Sequence, residues 1–398
     1  MKIASNIKFQ APNLESTLFL RRFFVGICLL SFGISATAAR GEFTKTIKEN
    51  FTVETNTRIE AVNKHGDMQI HTWDKNEVSF EITVTVEAKT EGDAQKEMDR
   101  IDVEFTNIPG VVRAETEWEE KERRRSWSIF DWSSWGDWSG WEDGNKIRID
   151  YVIYMPSANV VDLNNKYGNI DFPTFDNDAK LTVKYGNMTG ERVGGSFNLD
   201  IGYGDADISS VGGKAQVNVK YGKFRANVLQ TINMESKYSK IYIENAYDIK
   251  IQSKYDHYEL GTINNLRSDG KYDDFDIEKA NNVEIDSKYS DYRIRELAGE
   301  GDFDMEYGNA KIKNMSTNFG NLEIDGSYTD FTFYMPSNAA YDVDAESSYG
   351  DLDFSDHRHL DIYKDGSDKE AEGYVGSPDS GNRLRARLRY GSLNVMMK

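Results

Sequence analysis

The sequence predicts an all-β protein, a β-solenoid made as a β-helix-like stack of two-strand coils of 17–18 residues, with one short helix near the N-terminus. Three observations carry this. Tyrosines recur at 167, 185, 203, 221, 238, 255, 272, 289 and 307, then at 328, 349 and 390, inside nearly identical text. Apolar residues alternate with polar ones on both sides of each tyrosine, the period-two mark of strands with one buried face. Glycine, asparagine, aspartate and serine return at short intervals, as many short strands and turns require.

In chain order, the first segment is not part of that fold. Lys2, Lys8, Arg21 and Arg22 precede an apolar run from Phe23 to Ile34, which meets Ala36-Thr37-Ala38. A basic stretch, a short apolar run and a small-x-small site mark residues 1–38 as a secretory signal peptide. The run is shorter than the ~20 residues that span a bilayer; an uncleaved anchor is the alternative. Cys28 lies inside it behind Ile27, a poor setting for lipid attachment, so the mature chain is expected to hold no cysteine and no disulfide. The segment carries four basic and one acidic side chain, so its removal takes the net charge from −19 to −22. A chain so acidic repels phosphate backbones, and nucleic acid is not an expected partner. Export to the periplasm or the cell surface is the expected localisation.

Residues 39–155 read as an N-terminal β region. Alternating runs from Glu77 to Ala88 and Ile101 to Phe105 flank Thr90 to Arg100, where Ala94, Met98 and Ile101 suit a short amphipathic helix capped by Thr90. Strands near Val111 to Trp118 and Lys146 to Tyr154 then bracket a polar segment, expected to be a long excursion from a hairpin. Trp118, Trp127, Trp132, Trp135, Trp138 and Trp141 fall there, beside Arg123-Arg124-Arg125. Clustered exposed tryptophans mark contact surfaces, so these six are the candidate binding residues, for an envelope protein or a glycan. The alternative is a loop that folds its indoles onto the side of the solenoid.

Residues 156–398 form the tyrosine repeat, continuous with that region. The text reads Asn-Lys-Tyr167-Gly-Asn-Ile, Val-Lys-Tyr185-Gly-Asn-Met and Ser-Lys-Tyr238-Ser-Lys-Ile, while Asn63-Lys64-His65-Gly66-Asp67 keeps the frame with histidine. At Tyr255, Ile249, Ile251 and Ser253 alternate with polar residues before the tyrosine, and Tyr258 and Leu260 continue after it. Parity breaks once between them, where Gly, Ser, Asp or Thr follows the tyrosine, which marks a corner or bulge. Two short strands per unit leave no room for a crossover helix. A dozen coils stacked at about 4.8 Å give a rod on the order of 55–60 Å long. A propeller blade needs about 40 residues; a stack of antiparallel hairpins fits the same pattern.

By parity the tyrosines share the apolar face, and they are expected to line the core as a stacked ladder. The alternative is an exposed aromatic strip for sugar or protein binding. Lysines 166, 184, 220, 237, 254, 271 and 288 precede them and are placed outward, interleaved with acids such as Asp205, Asp207, Asp274 and Asp276. That reads as a charge-mixed surface that discourages edge-to-edge association. Met155-Pro156-Ser157 returns as Met335-Pro336-Ser337, which suggests related units bracketing the coil array. Residues 355–382 are a Gly/Asp/Ser-rich insertion, read as a loop or cap over the open end.

Signals for catalysis are poor. There is no phosphate-binding glycine loop, no Gly-x-Ser-x-Gly elbow, no His-Glu-x-x-His and, once mature, no cysteine nucleophile. His357 and His359, with Asp356 and Asp361, come nearest to a metal cluster, but third and fourth ligands are not evident. No metal and no cofactor is expected. Asp-x-Asp pairs at 205/207, 302/304 and 351/353 lack the frame of calcium β-rolls and read as surface charge. The stretch Asn63 to Trp73, the strand Val78 to Val86, the Met155-Pro156 step and the serial Tyr-Gly-Asn/Asp-Ile units resemble the bacterial β-strand-repeat putative adhesin family of unknown function, related to the head GIN domain of putative adhesins. The resemblance covers essentially all of the mature chain. It implies a β-helical protein of the cell envelope and supplies no catalytic residues. The expected function is that of an exported, non-enzymatic binding or structural module. The alternative is a carbohydrate-active enzyme, a lyase or hydrolase, on a β-helix scaffold.

Overall fold

The computed structural model describes residues 41–118 and 146–398, about three-quarters of them in strands, with one helix. The signal-like segment and Trp127, Trp132, Trp135, Trp138 and Trp141 lie outside the described residues.

The N-terminal part holds β1 (Gly41–Thr52), β2 (Arg58–Lys64), β3 (Met68–Thr72), β4 (Glu77–Ala88), α1 (Glu91–Met98), β5 (Ile101–Ile108), β6 (Val111–Trp118) and β7 (Lys146–Met155). The helix starts where predicted: Thr90 is extended and its side chain accepts the Asp93 N–H, while Ala94 and Met98 are buried. Next come β8 (Val160–Lys166), β9 (Ile170–Phe175), β10 (Ala179–Lys184), β11 (Met188–Val193) and β12 (Phe197–Gly202). The strands β13 (Asp205–Lys220), β14 (Lys223–Lys237), β15 (Lys240–Lys254), β16 (His257–Lys271) and β17 (Asp274–Lys288) each run through a corner from one sheet to the other. β18 (Asp291–Leu297), β19 (Gly301–Ile312) and β20 (Asn321–Met335) complete the sequential coils. The C-terminal part is β21 (Tyr341–Ser348), β22 (Asp351–Phe354), β23 (Leu360–Asp365), β24 (Asp368–Val375), β25 (Arg383–Arg389) and β26 (Ser392–Met397).

Pairing between coils is parallel and in register, which decides for a solenoid over stacked hairpins. Leu163, Leu181, Leu199 and Val217 align in one column, and Met188 lies between Ile170 and Ala206 in another. One sheet is made of the segments that lead into the corner residue, the other of those that leave it. Their alternate side chains point inward, so apolar columns from the two sheets meet as one continuous core. Tyr258, Phe275 and Tyr292 stack there with ring centroids 4.4 and 4.5 Å apart. Full burial of each such side chain contributes about 1.5–3 kcal/mol. The switch from 18- to 17-residue spacing happens at the second corner, where Gly212 and Gly213 stand opposite the single residue Gln230.

Both ends depart from a simple winding. After Met155-Pro156 the chain passes over the β2/β3 layer, because β2 lies between β6 and β8. After Met335-Pro336 it again passes over a layer, because β25 lies between β20 and β21. The repeated Met-Pro-Ser therefore marks the two places where the chain skips a coil, and in each case another part of the chain fills the gap. Antiparallel strands close the ends: β1 on β4, β4 on β7 and β5 on β6 at one, β24 on β21 and β23 on β24 at the other. The 355–382 insertion is thus an ordered hairpin laid on the terminal coil. One expectation fails here. β6 and β7 are not hairpin partners, since β6 pairs with β2 and β5, whereas β7 pairs with β3 and β4. They are the two halves of one coil, with residues 119–145 between them in sequence.

Candidate functional site

The corner residue builds the site. His65 and all twelve repeat tyrosines have positive φ, between 53° and 67°. A left-handed residue reverses the side-chain alternation, so each tyrosine turns out of the core that parity assigned to it. Tyr185 to Tyr390 in the repeat are 38–62% exposed. The expectation of a buried tyrosine ladder is therefore overturned; the ladder exists, but it runs along the outside of the rod.

Its geometry is regular. His65 stacks on Tyr167 at 4.9 Å and 5°, and from Tyr167 to Tyr328 each ring follows the last at 4.8–5.1 Å. The order then follows the intercalated coil, Tyr328 on Tyr390 and Tyr390 on Tyr349. Ring faces are spent on one another, so the solvent meets ring edges and phenol hydroxyls. At the other end, Glu115 is level with Val62, which brings Trp118 level with His65. The indole meets the imidazole edge-on, centroids 6.1 Å apart at 84°. Trp118 is the fourteenth aromatic of the row. It is also the described residue from which the tryptophan-rich segment departs.

Two backbone devices hold the corners. The residue after most ladder positions is glycine because adjacent corners nearly touch: a Cβ on Gly204 would collide with the Gly186 carbonyl oxygen, and one on Gly222 with that of Gly204. The residue two after the ring is often Asp or Asn, and it ties each corner to the next. Asp67 accepts the Asn169 N–H (2.8 Å), Asn169 that of Asn187 (2.9 Å), Asn187 that of Asp205 (2.9 Å) and Asp205 that of Lys223 (3.0 Å).

In the middle coils Ser239, Asp256, Asp273 and Ser290 replace the glycine and turn inward. Asp256 accepts the Ser239 N–H (2.6 Å) and the Ser236 hydroxyl (2.7 Å), and Ser236 also meets the buried Tyr258 hydroxyl. Asp273 accepts the Asp256 N–H and the Ser253 hydroxyl, both at 2.8 Å. Burial raises the Asp256 carboxyl above the usual range and pushes that of Asp273 up to about 7. At the ladder's end, burial together with Lys64 and Lys166 lowers His65 to about 4, so this ring is neutral at physiological pH.

The lysines before the tyrosines are outward, as expected, except Lys166, which is buried. Lys166, Lys184, Lys237 and Lys254 place their ammonium 4.8–5.5 Å from the adjacent ring centroid, within cation–π range. The expected interleaving with acids does not occur in this column. Lys220, Lys237, Lys254 and Lys271 align directly with one another. Among the described residues none of these four has a carboxylate at ion-pair distance, whereas Lys288 reaches Glu306 at 2.8 Å. The acids pair on the other sheet, Asp205 with Lys223 and Asp207 with Arg225, while Asp274 and Asp276 both hold Arg293.

Other candidates fall apart in space. His359 stacks on Tyr374 at 4.7 Å, Asp356 is engaged by Arg358, and Asp351 is bridged by Lys369. Among the described residues His257, Asp274 and Asp276 come close enough together to share an ion, but the Arg293 guanidinium already occupies both carboxylates. A shallow groove on the first sheet is lined by Lys250, Arg267, Glu284, Asp302 and Glu323 among others. Within it Arg267 pairs with Glu284 at 3.0 Å, and burial and nearby Glu284 and Asp325 raise the Asp302 carboxyl.

The sequence model of the Toastrack DUF4097 family matches residues 150–377, more than half of the chain. The chain belongs to this family. Among solved structures, this Toastrack chain is similar to a putative cell adhesion protein from Clostridium sporogenes, 11% identical, with 89% of this chain and 100% of that one covered and a TM-score of 0.17. It is also similar to a putative adhesin from Bacteroides fragilis, 10% identical, with 88% and 97% covered and a TM-score of 0.24. No curated protein matches it. Among the described residues of the Toastrack chain, no helix is long and apolar enough to cross a membrane.

Parity counting missed the exposed ladder, yet a signal was present in the text. Inward columns of this chain vary freely, for example Met188, Ala206, Phe224 and Ile241 in successive coils. The corner position is tyrosine twelve times and histidine once. A core needs volume, which many residues supply; a stacked column needs one ring shape.

Proposed function

We propose that this Toastrack chain is an exported, non-catalytic rod that binds or organises material at the cell envelope, with the ladder edge as its contact face. The observation that carries the reading is the ladder itself: twelve tyrosines in a strained backbone conformation, eleven of them exposed and Tyr167 half-buried, in one unbroken line. Export is supported by the basic stretch, the Phe23 to Ile34 run and the Ala36-Thr37-Ala38 site. The tryptophans at 127, 132, 135 and 138 are included in the reading because they follow in sequence on Trp118, which stands at the ladder's end. Cell fractionation and a pull-down on isolated envelope material test this. The wild type should be found outside the cytoplasm and bind, and replacing Trp127, Trp132, Trp135 and Trp138 by alanine should weaken binding. Cytoplasmic residence, or no envelope binding by the wild type, would end the proposal; unchanged binding by the variant would remove the tryptophans from it.

The second reading is a carbohydrate-active enzyme working in the first-sheet groove, favoured by the raised Asp302 carboxyl in a groove that Lys250 and Arg267 also line. Turnover of an acidic or neutral polysaccharide by the purified chain, abolished in Asp302→Asn, would establish it in place of the first.

A further inference from the structure

Like charges directly opposite on neighbouring strands are destabilising. The middle of this rod nevertheless stacks them on both sides of the ladder. Before the ring run Lys220, Lys237, Lys254 and Lys271; after it, Lys223 stands opposite Lys240, and Lys240 opposite His257. The chain as a whole carries a net charge of −19, so carboxylates are abundant. Yet among the described residues none pairs with the four lysines of the first column or with Lys240; in the second column Lys223 reaches Asp205 at 3.6 Å, and His257 lies against Glu259 at 3.2 Å and Asp274 at 3.5 Å. Between the columns Tyr221, Tyr238, Tyr255 and Tyr272 present their hydroxyls, and among the described residues these make no hydrogen bond. The result is a strip of ammonium and phenol donors repeating once per coil. Among the described residues its five lysines at 220, 237, 240, 254 and 271 have no carboxylate at ion-pair distance, and the acids Asp205 and Asp274 bound the second column at its two ends.

The spacing and the ring orientation select what would fill it. Nucleic acid bases and neutral sugars bind aromatic side chains through the ring face, and here successive centroids at 4.8–5.1 Å leave those faces covered. An extended acidic peptide rises ~3.3 Å per residue and shows alternate side chains, so its carboxylates on one side recur at about twice that distance, out of step with the coil. A linear polysaccharide of 1,4-linked uronic acids advances by roughly one sugar per coil step of ~4.8 Å. Successive sugars are turned about the chain axis, so hydroxyls meet every layer and carboxylates on the rod side return after a whole number of layers, in step with the coil. We propose that the central ladder between Lys220 and Lys271 binds a linear acidic polysaccharide, its carboxylates on the lysine columns and its hydroxyls on the tyrosine oxygens. This rests on the envelope-binding reading and adds the ligand's chemical class.

The test titrates the purified full chain at low salt with polygalacturonate, and with dextran, poly-L-glutamate and single-stranded DNA as comparators. The wild type should bind polygalacturonate at least tenfold more tightly than any comparator. The triple substitution Lys237→Gln, Lys240→Gln, Lys254→Gln should weaken binding at least tenfold and flatten its salt dependence. These side chains are surface groups, and an unchanged far-ultraviolet spectrum confirms the fold. Tyr238→Phe with Tyr255→Phe, which removes only hydroxyls, should weaken binding several-fold. No binding by the wild type, equal binding by the lysine variant, or equal affinity for polyglutamate or DNA would overturn the proposal. Isolated envelope material run alongside separates the two levels. If wild type and lysine variant hold it equally, the polysaccharide inference falls and the envelope reading stands. If the wild type binds polygalacturonate but not envelope material, the envelope reading falls and the ligand class stands.

Discussion

At a ladder corner two terms oppose each other. Left-handed backbone costs a non-glycine residue about 1–2 kcal/mol, while each stacked ring pair contributes about 0.5–1.5 kcal/mol. An interior ring such as Tyr255 has two neighbours, Tyr238 at 4.9 Å and Tyr272 at 4.8 Å, so stacking offsets the strain. Tyr255→Ala keeps the strain and loses both contacts; Tyr255→Gly loses the contacts but relieves the strain. The alanine variant should be the less stable of the two by about 1 kcal/mol in chemical denaturation. Equal stabilities would mean that the backbone is not strained there. Beneath the same corners, Asp273 holds its proton up to about pH 7, against 3.8 for an ordinary aspartate. Between those values the folded chain binds more protons than the unfolded one, so this group's contribution falls as pH rises, by up to about 4 kcal/mol. Asp273→Asn can keep the Asp256 N–H and Ser253 bonds without the charge. Melting from pH 4.5 to 8 should show a smaller decline for the variant than for the wild type, and a variant that is less stable than the wild type at pH 8 would contradict this.

Single elements differ in what protects them. An interior coil has a parallel partner above and below, but β21 would be an edge without β24, which pairs along its whole length from Tyr341↔Val375 to Ser348↔Asp368. Ala371, fully buried, stands at the centre of that hairpin, between Ala345 and Ile362. Ala371→Pro removes a ladder N–H and should release the hairpin, exposing a long unpaired strand. Light scattering should then show concentration-dependent association that the wild type lacks; a monodisperse variant would mean that β23 and β24 do not guard the edge. How far such elements are legible in sequence depends on whether a short period defines them. The α1 cap at Thr90 and the strand alternation of β14 to β17 follow from local chemistry, and the structure has them where the pattern puts them. Parity fails at the tyrosine because a single left-handed residue reverses the alternation locally, and the constant ring that marks the position shows only when the coils are compared with one another. The pairing of β6 and β7 fails for a different reason: two alternating strands flanking a loop read alike whether they share a sheet or face each other across a core.

At the scale of the whole rod, coils are so alike that no single coil's sequence says which neighbour it takes. The C-terminal coil β25/β26 lies between β20 and the earlier β21/β22, and its Tyr390 stands between Tyr328 and Tyr349 in the ladder. Stability in such a stack is close to a sum of nearest-neighbour terms. Removing residues 383–398 therefore takes away the partner of β20 on one side and of β21 and β22 on the other, while every contact from β2 to β20 remains. The truncated chain should keep a protease-resistant core ending near Met335, with residues 341–375 rapidly cleaved, as limited proteolysis with mass spectrometry would read. Cleavage throughout the chain would show instead that the rod folds as one cooperative unit. Persistent protection of residues 341–375 would show that β21 has closed the gap and paired with β20. That last outcome would make the skipped layer a property of the C-terminal segment, which inserts itself, and not of the corner at Met335-Pro336.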